Sequence, residues 1–341
     1  MSAPTTKADA KSFLASGLGI ALFSSAVFGT SGSFAKSMLE TGWSPGAAVT
    51  VRLTGAALIL AIPAVVALRG RWHQLKENWL TILLFGLIGV AGCQLFYFNA
   101  VARLSVGVAL LLEYLAPVMI VLWLWISSRR KPRALTAAGA LLSLGGLVLV
   151  LDLTGAVKVD FVGVLWGMAA AVCLVIYFFI TAKENDTLPP LVLASGGLLV
   201  GALVMWLVGL LGLLPMTFST ADTTLGPWTV PWWVSVVGLI ILATVLAYVS
   251  GIMAARSLGS KVASFVSLTE VLFAVIWAWL LLGELPGPIQ LLGGLLIVGG
   301  VVLVRVDELR GDRRAVVAHA LDHPNDVEPV PSRPVAGASR D

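Results

Sequence analysis

Three ionisable side chains stand alone inside long apolar runs: Arg52 in VTVRLTGAALIL, Glu113 in VGVALLLEYLAPV and Glu270 in ASFVSLTEVLFAV. At the centre of a membrane helix such a group costs about 2.5 to 3.5 kcal/mol on insertion scales, so it normally faces protein or water and has a partner. A guanidinium and a carboxylate can neutralise one another and brace a bundle. They can also divide a zwitterion between them, the carboxylate taking the amine and the guanidinium the acid. A carboxylate in an apolar setting favours its neutral form, which suits a proton carrier. Tyr97, Asn99, Tyr114, Tyr177 and Tyr248 also lie in apolar runs, where a phenol or amide needs a hydrogen-bond partner that helix packing or a substrate cavity can supply.

The elements that must hold these residues can be read from composition. Of 341 residues, 58% are hydrophobic and 12% charged, and the mean hydropathy is +0.97, a balance that belongs to an integral membrane protein. About 20 apolar residues cross a bilayer core. Ten runs of about that length appear, at 14–37, 46–68, 79–102, 105–128, 134–152, 161–181, 189–214, 232–255, 261–283 and 287–305. Lys and Arg gather on one set of connections: Lys7 and Lys11; Arg69, Arg71 and Lys76; Arg129, Arg130, Lys131 and Arg133; Lys183; Arg256 and Lys261; and Arg305 onward. The opposite set holds little beyond Lys36, Arg103 and Lys158. Positive charge marks the cytoplasmic side, so both termini are expected there, in the plasma (inner) membrane. The net charge of +4 tracks the membrane and does not call for a nucleic-acid partner.

Residues 1–12 read as a cytoplasmic N-terminus, with no cleavable signal before a first run of spanning length. Residues 306–341, rich in Pro and charge, read as a disordered cytoplasmic tail. Cys93 and Cys173 fall in separate runs and are expected to behave as small buried hydrophobes.

The chain repeats itself. LGGLVLV (144–150) and VGGVVLV (298–304) close the fifth and tenth runs, each with another glycine upstream, at Gly139 and Gly293. AVAR (100–103) and MAAR (253–256) end the third and eighth, and each precedes a run with one carboxylate. The matches divide the chain into two halves of five helices, 13–152 and 161–305. Because five is odd, the second half must lie inverted, an arrangement common among secondary transporters. Gly139, Gly145, Gly146, Gly293, Gly294, Gly299 and Gly300 allow close helix approach, whereas Gly29 and Gly32 are candidates for either packing or a hinge.

FGTSGSFAKSMLETGWSPGAAVTVRLTGAAL (28–58) and LTEVLFAVIWAWLLLGELPGPIQLLGGLLIVGGVVLV (268–304) resemble the EamA-type drug/metabolite transporter superfamily. The resemblance covers nearly all of 13–305. It implies an all-α fold of ten transmembrane helices in two inverted five-helix repeats, cytoplasmic termini, and outward transport of a small metabolite. Within the superfamily, the segment around Gly107, Ala109, Leu112, Glu113, Tyr114, Ala116 and Pro117 is similar to the fourth helix of threonine and homoserine exporters. The sequence departs from the family pattern at Glu270, followed by Val271 instead of proline, and at Cys173, near a usual Trp.

Arg52 and Glu113 lie roughly 9 and 12 Å below the same face by helical rise, so a direct pair is geometrically open. Glu270, roughly 13 Å from the other face, is the proton-coupling candidate, with Ser264, Ser267 and Thr269 nearby. His73, His319 and His323 lie outside the apolar runs, and no nucleotide loop, metal motif or nucleophile-base pair appears. The expected function is therefore amino-acid export, without catalysis or cofactor. The expected partners are a small-molecule substrate, the lipid bilayer and protons, and the candidate substrate residues are Glu113, Arg52, Tyr114, Tyr97, Asn99, Tyr248 and Glu270. An exporter of another metabolite or drug-like cation, a passive channel and an intramembrane enzyme are the alternatives.

Overall fold

The computed structural model describes residues 7–101, 103–104, 106–129, 132–150, 160–183, 188–283, 285 and 287–322. Inside hydrocarbon a backbone must satisfy its own polar groups, and a helix does so within one segment. Helices accordingly account for nearly every element: α1 (Lys7–Leu39), α2 (Pro45–Ala67), α3 (Trp72–Glu77), α4 (Trp79–Leu84), α5 (Cys93–Val101), α6 (Val106–Glu113), α7 (Ala116–Ser128), α8 (Ala134–Val150), α9 (Phe161–Ala182), α10 (Pro190–Leu210), α11 (Trp232–Ile240), α12 (Ala247–Ser267), α13 (Thr269–Leu282) and α14 (Pro288–Asp322). A hairpin, β1 (Thr223–Leu225) with β2 (Trp228–Val230), precedes α11. Among the described residues, eight helices are long and apolar enough to cross a membrane, and Ala134–Val150 and Thr269–Leu282 are shorter apolar helices.

Four of the runs expected to be continuous are interrupted. The third carries a π-helical segment, Phe85–Gly92, between α4 and α5, and the eighth another, Ile241–Leu246, between α11 and α12. The fourth breaks at Tyr114 and Leu115, where Pro117 has no N–H to offer the Glu113 carbonyl. The ninth begins within α12, after a kink at Gly259 (φ 74°, ψ 164°), a conformation that favours glycine. It then breaks at Leu268, with Ser264, Ser267 and Thr269 turning their hydroxyls onto carbonyls of Lys261, Ser264 and Val266. Such back-bonding loosens a helix. Leu268 lies beyond Tyr114 by the same 154 residues that separate Gly139 from Gly293.

Helix pairs α8 with α14, α2 with α10, α5 with α9, and α1 with both α12 and α13 form the main contacts. Small residues let α8 and α14 touch backbone to backbone: a methyl at Gly146 would lie 2.5 Å from the Gly293 carbonyl oxygen, and one at Gly139 2.7 Å from that of Gly300. The contacts run in opposite residue order, so the two helices are antiparallel.

Two expectations about boundaries need correction. The seventh run stops at Leu210, not 214, because the chain beyond is held by Ser44. That hydroxyl caps α2 at the Ala47 N–H (3.2 Å) and donates to the Pro215 carbonyl (2.7 Å). The tail expected to be disordered from 306 is helical to Asp322, since RVDELRGDRRAVVAHALD is rich in helix formers. It is also docked: Thr136 donates to buried Asp307 at 2.6 Å, Arg133 donates to the Asp307 carbonyl at 3.0 Å, and Lys261 pairs with Glu308. Residues 323–341, together with Lys158, Arg130 and Lys131, lie outside the described residues.

Candidate functional site

Ser44 and Pro45 start α2, and Arg52 falls two turns further along. Arg52 is 5% exposed. One guanidinium nitrogen, Nη1, donates to Ser31 Oγ on α1 at 2.9 Å, and the guanidinium carbon sits 5.8 Å from the centre of the Phe28 ring. Its Nε is buried without a hydrogen-bond partner. Among the described residues no ion pair joins Arg52 to Glu113, so the direct brace left open by helical depth does not form.

Glu113 instead accepts from the thiol of Cys93, with Sγ 3.1 Å from Oε1. Cys93 is the first residue after the π segment, and its N–H reaches back five residues to the Ile88 carbonyl. A π turn inserts a residue and so re-aims the side chains beyond it. Here it turns Cys93, and Tyr97 one turn later, toward Glu113. The second π segment does the same for Tyr248, two residues past its end.

Both carboxylates sit at helix breaks, from opposite sides. Glu113 is the last residue of α6, and Glu270 lies in the first turn of α13, where a carboxylate meets the positive end of the helix dipole. Tyr114 is within electrostatic reach of Glu270 across the two breaks. Arg52 is within electrostatic reach of both carboxylates, as they are of one another. Gly29 lets α1 close onto this turn, since a methyl there would meet Ala274 N at 2.9 Å and the Glu270 carbonyl oxygen at 3.1 Å. Packing is therefore its role, while Gly32 has no neighbour within 4 Å on that side.

Aromatic rings complete the cluster. Phe28, beneath Arg52, lies 5.9 Å from Tyr248; Tyr248 meets Tyr177 edge-on at 6.2 Å; and Tyr177 lies 5.4 Å from Phe85. Tyr97 is within electrostatic reach of Glu113. Of the seven residues expected from sequence, Arg52, Glu113, Tyr114, Tyr97, Tyr248 and Glu270 come together. The Asn99 amide donates to the Leu95 carbonyl of its own helix at 2.8 Å. Phe28, Ser31 and Cys93 were missed. Cys93 and Tyr97 are four apart on one helix face, a spacing that could have signalled the thiol. Both cysteines are buried and free, but Cys93 does not behave as the small hydrophobe expected, since it donates to Glu113.

The arrangement offers a buried cation with an open donor, two carboxylates and an aromatic wall, and among the described residues no cluster of metal ligands. The sequence model of the EamA-like transporter family matches residues 15–152 and 161–306. The chain belongs to this family. It is 26% identical to the uncharacterized inner membrane transporter YicL of Salmonella typhimurium, over 86% of this chain and 96% of the relative. A probable terminal-alkyne amino-acid exporter of Streptantibioticus cattleyicolor is 31% identical over 77% of this chain and 85% of its own. The threonine/homoserine exporter RhtA of Escherichia coli is 27% identical over 76% and 81%. A crystal structure with 24% identity superposes with a TM-score of 0.68, over 85% of this chain and 98% of the other, and shares its fold. This EamA-family protein is thus a multi-pass membrane transporter, and all three relatives are named as transporters or exporters.

Proposed function

We propose that this EamA-family transporter exports a small zwitterionic metabolite, an amino acid, by alternating access of two inverted five-helix repeats around the Arg52–Glu113–Glu270 cluster. One observation carries the reading: Arg52 is buried, has an open Nε and is not paired with the carboxylates within its reach. A buried cation left in that state awaits an anion. The substrate carboxylate goes to Arg52 and its amine to Glu113.

The glycine contacts support inversion. Gly139 meets Gly300, and Gly146 meets Gly293. Gly293 and Gly300 are the sequence counterparts of Gly139 and Gly146, so each helix contacts the counterpart of what contacts it, the signature of a two-fold axis. Broken helices at the axis support a midplane site. Ten helices and cytoplasmic termini accord with the paired shorter helices and the charge asymmetry. Outward direction accords with the names of the two exporters.

Counterflow in proteoliposomes with L-threonine, L-homoserine, a sugar, a nucleoside and a quaternary ammonium ion tests the substrate class. Amino-acid counterflow is expected, whereas signal from the cation alone overturns the reading in favour of a drug-type exporter. Glu270 is the proton site in this scheme. Glu270→Gln is expected to abolish stimulation of transport by an imposed pH gradient while retaining counterflow, and an unchanged gradient response removes Glu270 from the coupling.

A further inference from the structure

We infer that Cys93 is a positioning residue that holds Glu113 in the empty site and yields it to the substrate amine. The inference rests on the amino-acid reading of the cluster. Glu113 is only partly exposed and lies in an apolar run, so it benefits from a donor when no substrate is present, because a carboxylate largely withdrawn from water is costly unpaired. Arg52 does not serve, being turned onto Ser31 and Phe28. The donor is a thiol, the weakest in the side-chain repertoire, so an incoming ammonium displaces it readily. The thiol also has somewhere to go: Sγ lies 3.8 Å from the Ala170 carbonyl oxygen on α9, against 3.1 Å from Glu113. Moving its proton from one acceptor to the other leaves no donor orphaned when the amine arrives. The open Nε of Arg52 is the second sign that the cluster is built for a ligand. With a zwitterion seated, guanidinium and carboxylate each gain a charged partner, and the thiol is the group that steps aside.

The inference predicts effects of opposite sign. Cys93→Ser installs a stronger donor that competes with the amine and raises KM for L-threonine about fivefold, the ratio to which one net hydrogen bond corresponds. Cys93→Ala removes the competitor and lowers KM, with kcat changing less than KM in both. A merely structural role for Cys93 moves both variants the same way. A spectroscopic readout guards against variants that fail to fold. Cys173→Ala leaves Cys93 as the one thiol of a chain with two cysteines, and its infrared S–H stretch should rise in frequency when L-threonine displaces it from the carboxylate to the carbonyl. A band that does not move in protein that performs L-threonine counterflow overturns the inference. So do KM shifts of one sign, or none, in the two Cys93 variants. Absent counterflow of both L-threonine and L-homoserine in wild type, or an unchanged KM in Glu113→Gln, overturns the amino-acid reading itself, and the thiol's role falls with it.

Discussion

Arg52→Gln protein is expected to fold at least as well as wild type and to lose transport. The two outcomes have one cause. Arg52 is a buried cation whose direct partners are a neutral hydroxyl and an aromatic face, so the folded state without substrate carries its desolvation without an ion pair in return. Glutamine removes that burden, and the melting temperature in detergent should hold or rise. On the proposed scheme, however, the substrate carboxylate loses a charged partner. Truncating one member of a buried, hydrogen-bonded charge pair costs about 2 to 5 kcal/mol, which corresponds to a loss of roughly 30-fold or more in affinity. L-threonine counterflow measured at fixed concentration reads that loss. Glu113→Gln should be impaired as well, and the double variant should not recover. Recovery in the double variant would mean that the two groups neutralise each other after all, against the absence of an ion pair between them.

Gly300→Ala should prevent stable folding, and Gly145→Ala should not. A methyl at Gly300 would lie 2.1 Å from Ser143 Oγ, 2.5 Å from the Gly139 carbonyl oxygen and 2.7 Å from the Ser143 nitrogen. The hydroxyl can turn away, but the two backbone atoms cannot. The α8–α14 pair must then separate, at a cost of about 3 kcal/mol, the upper end of ordinary overpacking. Gly145 adjoins Gly146 in sequence yet has no neighbour within 4 Å. Alanine there gains helix propensity of up to about 1 kcal/mol. Fluorescence-detected size exclusion and thermal melting of the two variants test the contrast. Equal behaviour would show that α8 and α14 do not touch as described.

Much of this was legible in the chain. Hydropathy locates spans because the bilayer fixes their length, and the Gly139/Gly293 and AVAR/MAAR correspondences expose the repeat without coordinates. Single charges in apolar runs singled out Arg52, Glu113 and Glu270, which the fold brings within electrostatic reach of one another. Other features were hidden for definable reasons. Cys93 counts as apolar on any hydropathy scale, so its bond to Glu113 has no signature in composition. The π segments Phe85–Gly92 and Ile241–Leu246 contain nothing but ordinary membrane residues. The helical stretch 306–322 was obscured by its charge, which is satisfied in part by Lys261 and Thr136, residues remote in sequence.

Read alone, the chain implies a membrane protein of two related halves, with a small set of charged groups inside its apolar runs. The folded chain sets who meets whom: Arg52 meets Ser31 and Phe28, and Glu113 meets Cys93, while Tyr114 comes within electrostatic reach of Glu270. The reason is geometric. A rise of about 1.5 Å per residue converts sequence position into depth, whereas the direction a side chain points depends on the rotation of its helix. Each π segment and each break resets that rotation, and packing against the neighbouring helices selects it.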